Sequence, residues 1–326
     1  MLTTFLIHCI LNMKMNFNLI LEVFKICSFI MLNIISSSLL FSCNMEPFNG
    51  ISTTFGPMYD FTKRIVKDKL DVITIVGENE PHGFEPNDPQ IAAKTERAKL
   101  LVAYGQGIDD YAKNMTSKDK YFCATTNVEF FNTKDSDGVE TKVKDPHAWL
   151  SIKDSKIMLK SIADKIVEID PDNKKYYEEN LKETLDEFNA LDDEYTNALV
   201  NDKIATNIFV TSHEAFAYLA RDYGLIQYGI ADIADNEPNS SQISKIVDYI
   251  MTNDIHYICL EELDEPGHVT TVINEIHKIN STYKIDTVQL NAFEGVSIND
   301  WSSTDNYISI MKNNLDQLKK ALGYKL

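Results

Sequence analysis

Three histidines and one glutamate, on four separate segments, have the residue types for metal chemistry. His82 stands in "NEPHGFEPNDPQ" (79–90), a loop stiffened by Pro81, Pro86 and Pro89. His147 stands in "DPHAWL", His213 in "TSHEAF" and Glu294 in "LNAFEG". Each falls in a loop or first helical turn, where the chain changes direction. Three imidazole nitrogens and one carboxylate oxygen match the tetrahedral shell that Zn²⁺ takes. No local motif of the HExxH or paired CxxC kind fixes their geometry, so the fold has to bring them together. With Glu294 as a general base instead of a ligand, the same residues would describe a zinc hydrolase; no activating motif accompanies them. The remaining histidines have blander settings. His8 is near the N-terminus, His256 precedes a strand, and His268 and His277 are nine residues apart on one helical pattern.

The elements that must position these residues alternate. "DVITIV" (71–76) reads as a buried strand before the His82 loop, and "DPQIAAKTERAKLL" (88–101) as a helix after it. "LLVAYG" (100–105) is the next strand and "IDDYAKNM" (108–115) a helix. A longer helical pattern covers 145–170, with Asp145 as N-cap and Pro146 in the first turn. Residues 171–200 follow, opened by Pro171, with apolar Tyr177, Leu181, Leu185, Phe188, Tyr195 and Leu199 at helical spacing. Such a helix is about 45 Å long, enough to reach from one lobe to another. The rhythm then resumes: strand, loop and helix over 207–225 with Gly224 as the stop, helix 241–254, strand 255–263, helix 266–279, strand 285–290 and helix 305–324. This order predicts an α/β fold of two lobes, each a small parallel sheet flanked by helices, joined by one long rigid helix. In such sheets ligands bind at the carboxyl ends of the strands, where these histidines fall.

A formal net charge of −18 argues against nucleic acid and against a basic membrane-binding face. Residues 26–42, "ICSFIMLNIISSSLLFS", are nearly free of charge and lie downstream of Lys14 and Lys25, the layout of an export signal. The run ends in "LLFSC" (39–43), which resembles the lipobox of bacterial lipoproteins and implies a signal over 1–42 and a lipid on Cys43. A plain signal peptide or an uncleaved anchor helix is the alternative. Of the other cysteines, Cys9 and Cys27 would leave with the signal, and Cys123 and Cys259 are expected to be reduced, buried and inert.

"EPHGFEP", "DPHAWLS", "TSHEAFAYLARDYGL" and "EPNSSQISKIVDYI" occur in this order, with "TTFGPMYDFTKRIV" before them and "ICLEEL", "LNAFEG" and "YISIMKNNLDQLKKAL" after. In these segments the chain, from about Ile51 to its C-terminus, resembles the metal-specific solute-binding proteins of bacterial ABC importers, which capture zinc or manganese. The resemblance implies an N-terminal lobe (43–170) supplying His82 and His147, a bridging helix (171–200), and a C-terminal lobe (201–326) supplying His213 and Glu294. It implies a binding protein and not an enzyme: a monomer lipid-anchored on the extracytoplasmic face of the cell membrane, passing its metal to a permease. Members with glutamate at the third ligand position are generally of the manganese type; His213 points to zinc, with Mn²⁺ the alternative. Glu261 and Glu262 either accept from a ligand imidazole or are solvated carboxylates at a strand end. Two features depart from the pattern. The stretch 130–145 lacks the histidines of many zinc members and reads as an acidic, polar surface loop, and a carboxylate other than Glu294 could fill the fourth position. An adhesin on the same scaffold is a further possibility.

Overall fold

The structure, a computed structural model, describes residues 48–76, 88–134, 140–199, 202–231, 238–262, 266–294 and 306–325. Residues 1–42, read as an export signal, Cys43 and His82 lie outside the described residues.

Two four-stranded parallel sheets carry the two lobes. The first is built from β1 (Gly50–Thr53), β2 (Asp71–Thr74), β3 (Leu100–Ala103) and β4 (Tyr121–Cys123), in the order β2-β1-β3-β4. After an antiparallel hairpin, β5 (Asn132–Lys134) with β6 (Glu140–Lys144), the second sheet uses β7 (Ile208–Thr211), β8 (Ile226–Gly229), β9 (Tyr257–Glu261) and β10 (Asp286–Leu290). Its order, β8-β7-β9-β10, repeats that of the first. In both, the chain returns past its first strand between the second and third, which opens a crevice at the carboxyl ends of β1 and β3 and of β7 and β9.

Eight α-helices pack on these sheets among the described residues: α1 (Gly56–Val66), α2 (Pro89–Arg97), α3 (Ile152–Ile169), α4 (Lys174–Leu199), α5 (Ala217–Tyr223), α6 (Ser240–Thr252), α7 (Gly267–Ile279) and α8 (Tyr307–Ala321). Strand β3 is a continuous apolar run, Leu100 to Ala103, with every residue buried, because helices cover both faces of the sheet. Ile91 of α2 joins Ile75, Leu101 and Ala103 on the outer face. In the second lobe, α6 and α7 pack Ile246, Ile250, Val272 and Ile276 against Val210 and Ile258. The inner faces of both sheets share one central core, with Leu100 and Val102 on one side and Phe209 and Val288 on the other.

Helices α1, α3, α4 and α8 fill that core. Helix α4, 26 residues long, is the long connecting element, and a three-residue 3-10 turn, Pro171–Asn173, leads into it. It buries Tyr177, Phe188, Leu191 and Tyr195. Its polar groups reach both ends of the fold: Asn180 Nδ2 donates to the Ile65 carbonyl at 2.9 Å, and the Tyr195 hydroxyl to that of Met311 at 2.6 Å. No helix among the described residues is long and apolar enough to cross a membrane.

Several local readings need correction. The helix expected from Asp145 is delayed: a 3-10 turn covers Ala148–Leu150, and α3 begins at Ile152 with Ser151 as its cap, the Ser151 Oγ accepting from the Asp154 N–H at 2.9 Å. Pro146 disfavours helical backbone at the residue before it, which releases the Asp145 carboxylate for another use. Residues 108–115 form only a 3-10 turn, Asp110–Asn114. Within 130–145, read as a loop, lies the β5–β6 hairpin. Strand β8 has no counterpart in the sequence reading. Cys259 is buried, and burial pushes its thiol up to about 12; Cys123 is only half-buried.

Candidate metal centre

His147 sits in a turn built by its own sequence neighbours. The Asp145 Oδ1 accepts both the His147 backbone N–H and its Nδ1, each at 2.9 Å, and both residues are fully buried. A carboxylate only accepts, so Nδ1 carries the proton and Nε2 carries the lone pair that a metal would take. The turn is braced from outside: the Tyr104 hydroxyl donates to the Pro146 carbonyl, and the Tyr218 hydroxyl to that of Asp145 at 2.7 Å. Burial, with Asp145 nearby, holds the Tyr218 phenol above its ordinary pKa, so it stays a donor. The Trp149 ring packs against His147 with centroids 5.2 Å apart.

His213 leaves the carboxyl end of β7, and Glu261 ends the adjacent strand β9. Ser212 ties the two strand ends together: its N–H donates to the Cys259 carbonyl at 2.8 Å, and its hydroxyl accepts from the Glu261 N–H at 3.0 Å. The Glu261 Oε1 lies 3.3 Å from the His213 Nδ1, so this imidazole too has a buried carboxylate behind it. The rings of His147 and His213 meet edge to face, with centroids 5.1 Å apart. Two segments 66 residues apart in sequence, one from each half, thus bring two imidazoles into contact.

Glu294 is buried on the loop that follows β10. That loop is pinned at several points. Asn314 of α8 accepts from the Asn291 N–H at 2.9 Å and donates to its carbonyl at 2.8 Å. The Asn291 Oδ1 accepts from the Phe293 N–H at 2.6 Å, which supports the left-handed backbone of Phe293 (φ 56°). The Trp149 indole donates to the Ala292 carbonyl at 2.7 Å. Glu262 is exposed and takes the Asn291 amide. Among the described residues no three His, Cys, Asp or Glu side chains close on one point as a metal shell would. What the structure brings together is the His147–His213 pair with the carboxylates of Asp145 and Glu261.

Sequence reasoning missed Asp145 and Trp149 at this centre. Asp145 had a usable signal, since an aspartate two residues before a histidine can accept from that residue's N–H; Trp149 had none.

By its fold the protein is a two-lobed α/β binding protein. The family model described as zinc-uptake complex component A, periplasmic, matches residues 51–321. The high-affinity zinc uptake system protein ZnuA of Bacillus subtilis is 34% identical over 290 residues, covering 84% of this chain and 88% of that protein. The manganese ABC transporter substrate-binding lipoprotein PsaA of Streptococcus mitis is 30% identical over 280 residues, covering 81% and 86%. Among solved structures, that of the metal-dependent lipoprotein YcdH from Bacillus subtilis superposes with a TM-score of 0.69 at 33% identity, over 84% of this chain and 98% of the other. The chain belongs to the zinc-uptake component A family, the substrate-binding receptors of metal importers.

Proposed function

We propose that the protein is an extracytoplasmic receptor that binds Zn²⁺ with high affinity and delivers it to the permease of an ABC importer. The observation that carries this reading is the His147–His213 pair, with ring centroids 5.1 Å apart and a buried carboxylate behind each Nδ1. His82 and Glu294 complete the shell in this proposal, with His82 and His147 from a lobe over 43–170 and His213 and Glu294 from a lobe over 201–326. The bridging segment read over 171–200, whose helix is α4 (Lys174–Leu199), serves as a fixed spacer between the lobes. A signal over 1–42 and a lipid on Cys43 would keep a monomeric receptor at the outer face of the membrane, beside its permease.

Zinc is favoured over manganese by the donor set. Nitrogen donors suit borderline-soft Zn²⁺, whereas Mn²⁺ prefers more oxygens and stands lower in the affinity order. The names of the relatives include both metals, so competition is the direct test. Residues 44–326, exposed to equal Zn²⁺ and Mn²⁺ and then analysed by native mass spectrometry, should retain one zinc per chain. Retained manganese would move the protein to the other metal, and no metal at all would remove the transport reading.

Acidity gives a second test. Each imidazole binds either a proton or the metal. Because metal must displace protons from the three ligand imidazoles, lowering the pH from 7.5 to 5 should weaken zinc binding by about a hundredfold or more. The sign is fixed: protonation at low pH competes with metal, so affinity rises with pH across this window. Calorimetry that found equal affinity at both values would rule out the three-imidazole site.

A further inference from the structure

Helix α5 is short, yet it makes more cross-lobe bonds than its length suggests. It starts four residues after His213, and its side chains reach the segment that carries His147. The Tyr218 hydroxyl donates to the Asp145 carbonyl at 2.7 Å, two residues before His147. Its ring stacks on Phe131 with centroids 4.0 Å apart, and the Arg221 guanidinium lies 5.1 Å from the ring centre. One turn on, an Arg221 Nη donates to the Asp154 Oδ2 at 2.8 Å and to the Ser151 Oγ at 3.3 Å. Asp222 accepts from the Ser151 hydroxyl at 2.5 Å, and Lys153 Nζ reaches the Asp222 carbonyl at 3.2 Å. Ser151 is also the cap of α3, so the α3 N-terminus and α5 form one hydrogen-bonded unit. The far end of α5 is held as well, by the Tyr223 hydroxyl on Asp192 of α4 at 2.9 Å.

We propose that α5 is a cross-lobe anchor that fixes the separation of His147 and His213 before any metal arrives, with Tyr218 and Arg221 as its positioning residues. The chemistry of these bonds supports this. Asp154 and Asp222 are nearly buried, and Arg221 gives them the charged, forked donor that buried carboxylates require. The Tyr218–Asp145 bond is buried and therefore costly to leave half-made, while Arg221, 39% exposed, adds its bonds from the surface; together they keep the two segments paired before metal binds. A half-site assembled in advance lowers the ordering cost of capture. It also restricts where release can occur: the His147–His213 edge stays closed, and metal must leave by loosening another side of the shell.

The functional part of this inference rests on the zinc-receptor reading; the anchor itself does not, and the test separates them. Residues 44–326 carrying ¹³C-labelled histidine are prepared metal-free as wild type, Tyr218→Phe, Arg221→Met and the double variant. Wild type should give a nuclear Overhauser contact between the His147 and His213 rings, and the double variant should lose it. Tyr218→Phe keeps the ring stack and loses one hydroxyl, so it is expected to fold even if the double variant does not, and to weaken the contact. On the zinc-loaded protein, transfer to a chelator should be about tenfold faster in the double variant. With Co²⁺ in place of zinc, the visible bands should shift in Tyr218→Phe and Arg221→Met, and return toward wild type in Arg221→Lys. A general loss of stability would not give that pattern. A ring contact that persists in the double variant, or is absent from metal-free wild type, overturns the anchor. A wild type that has the contact but takes up no zinc or cobalt overturns the receptor reading and leaves the anchor standing.

Discussion

His213→Ala should lower zinc affinity by at least about a thousandfold, while His268→Ala leaves it within about twofold. Groups that merely stand behind a metal-bound imidazole are worth about 10–100-fold, and a nitrogen bonded to the metal is worth more. His213 also has a buried carboxylate, Glu261, 3.3 Å from its Nδ1, so truncation removes a donor and leaves that charge facing a hole. His268 is half-buried on α7 and has no place in the proposed shell. The measurement is competition against a chelator of known affinity, with each variant's thermal transition recorded to confirm folding. Equal losses in both variants would remove His213 from the site. The manganese question can be put to the same position. His213→Glu alone sets a second carboxylate against Glu261, and like charges at that distance resist joint ionisation. It is therefore expected to bind both metals poorly, whereas His213→Glu with Glu261→Gln should recover manganese relative to zinc. If the single substitution favoured manganese by itself, the Glu261 carboxylate would not be what suits this position to imidazole.

Why this pair was only half legible in the sequence follows from where its geometry is stored. The strand and helix periods placed His213 after a strand and His147 at a helical start, and each setting depends on neighbours within a few residues. The 5.1 Å between their rings depends on sheet pairing and on the inter-lobe core, which no local pattern records. The same division explains the misreadings. Residues 145–150 combine an aspartate, a proline and apolar side chains and fit a helix start, but Pro146 and the Asp145–His147 bonds divert them into a turn. Strand β6, "ETKVK", is almost entirely exposed, so it lacks the alternation by which a half-buried strand is recognised. Strand β8 is four residues ending in Gly229, too short for a period to register. In contrast α4 announced itself, because Tyr177, Phe188 and Tyr195 repeat on one face over 26 residues.

Phe188→Ala should cost about 3–5 kcal/mol of folding stability, the loss expected when a buried aromatic ring is removed from a close-packed core. Phe188 is fully buried midway along α4. Its ring lies parallel to that of Tyr307 (8°, centroids 4.8 Å) and edge-on to Phe61 at 5.8 Å, and the Arg64 guanidinium lies 5.7 Å from its centre. Tyr307 in turn donates to the Trp149 carbonyl at 3.0 Å, and the Trp149 indole to Ala292 at 2.7 Å. One ring on the long helix therefore supports, through two contacts, the turn after His147 and the loop before Glu294. A two-lobed protein with a separate core in each lobe would unfold in two steps. Here the inner faces of both sheets share one apolar cluster with α1, α3, α4 and α8, so the lobes should unfold together. Urea denaturation followed by tryptophan fluorescence and by far-ultraviolet circular dichroism is expected to give coincident single transitions. In Phe188→Ala they should move together to lower urea with the slope unchanged. Two separated transitions in the wild type would mean that α4 is a tether between independent cores, and the spacing of the two histidines would then rest on the α5 bonds alone.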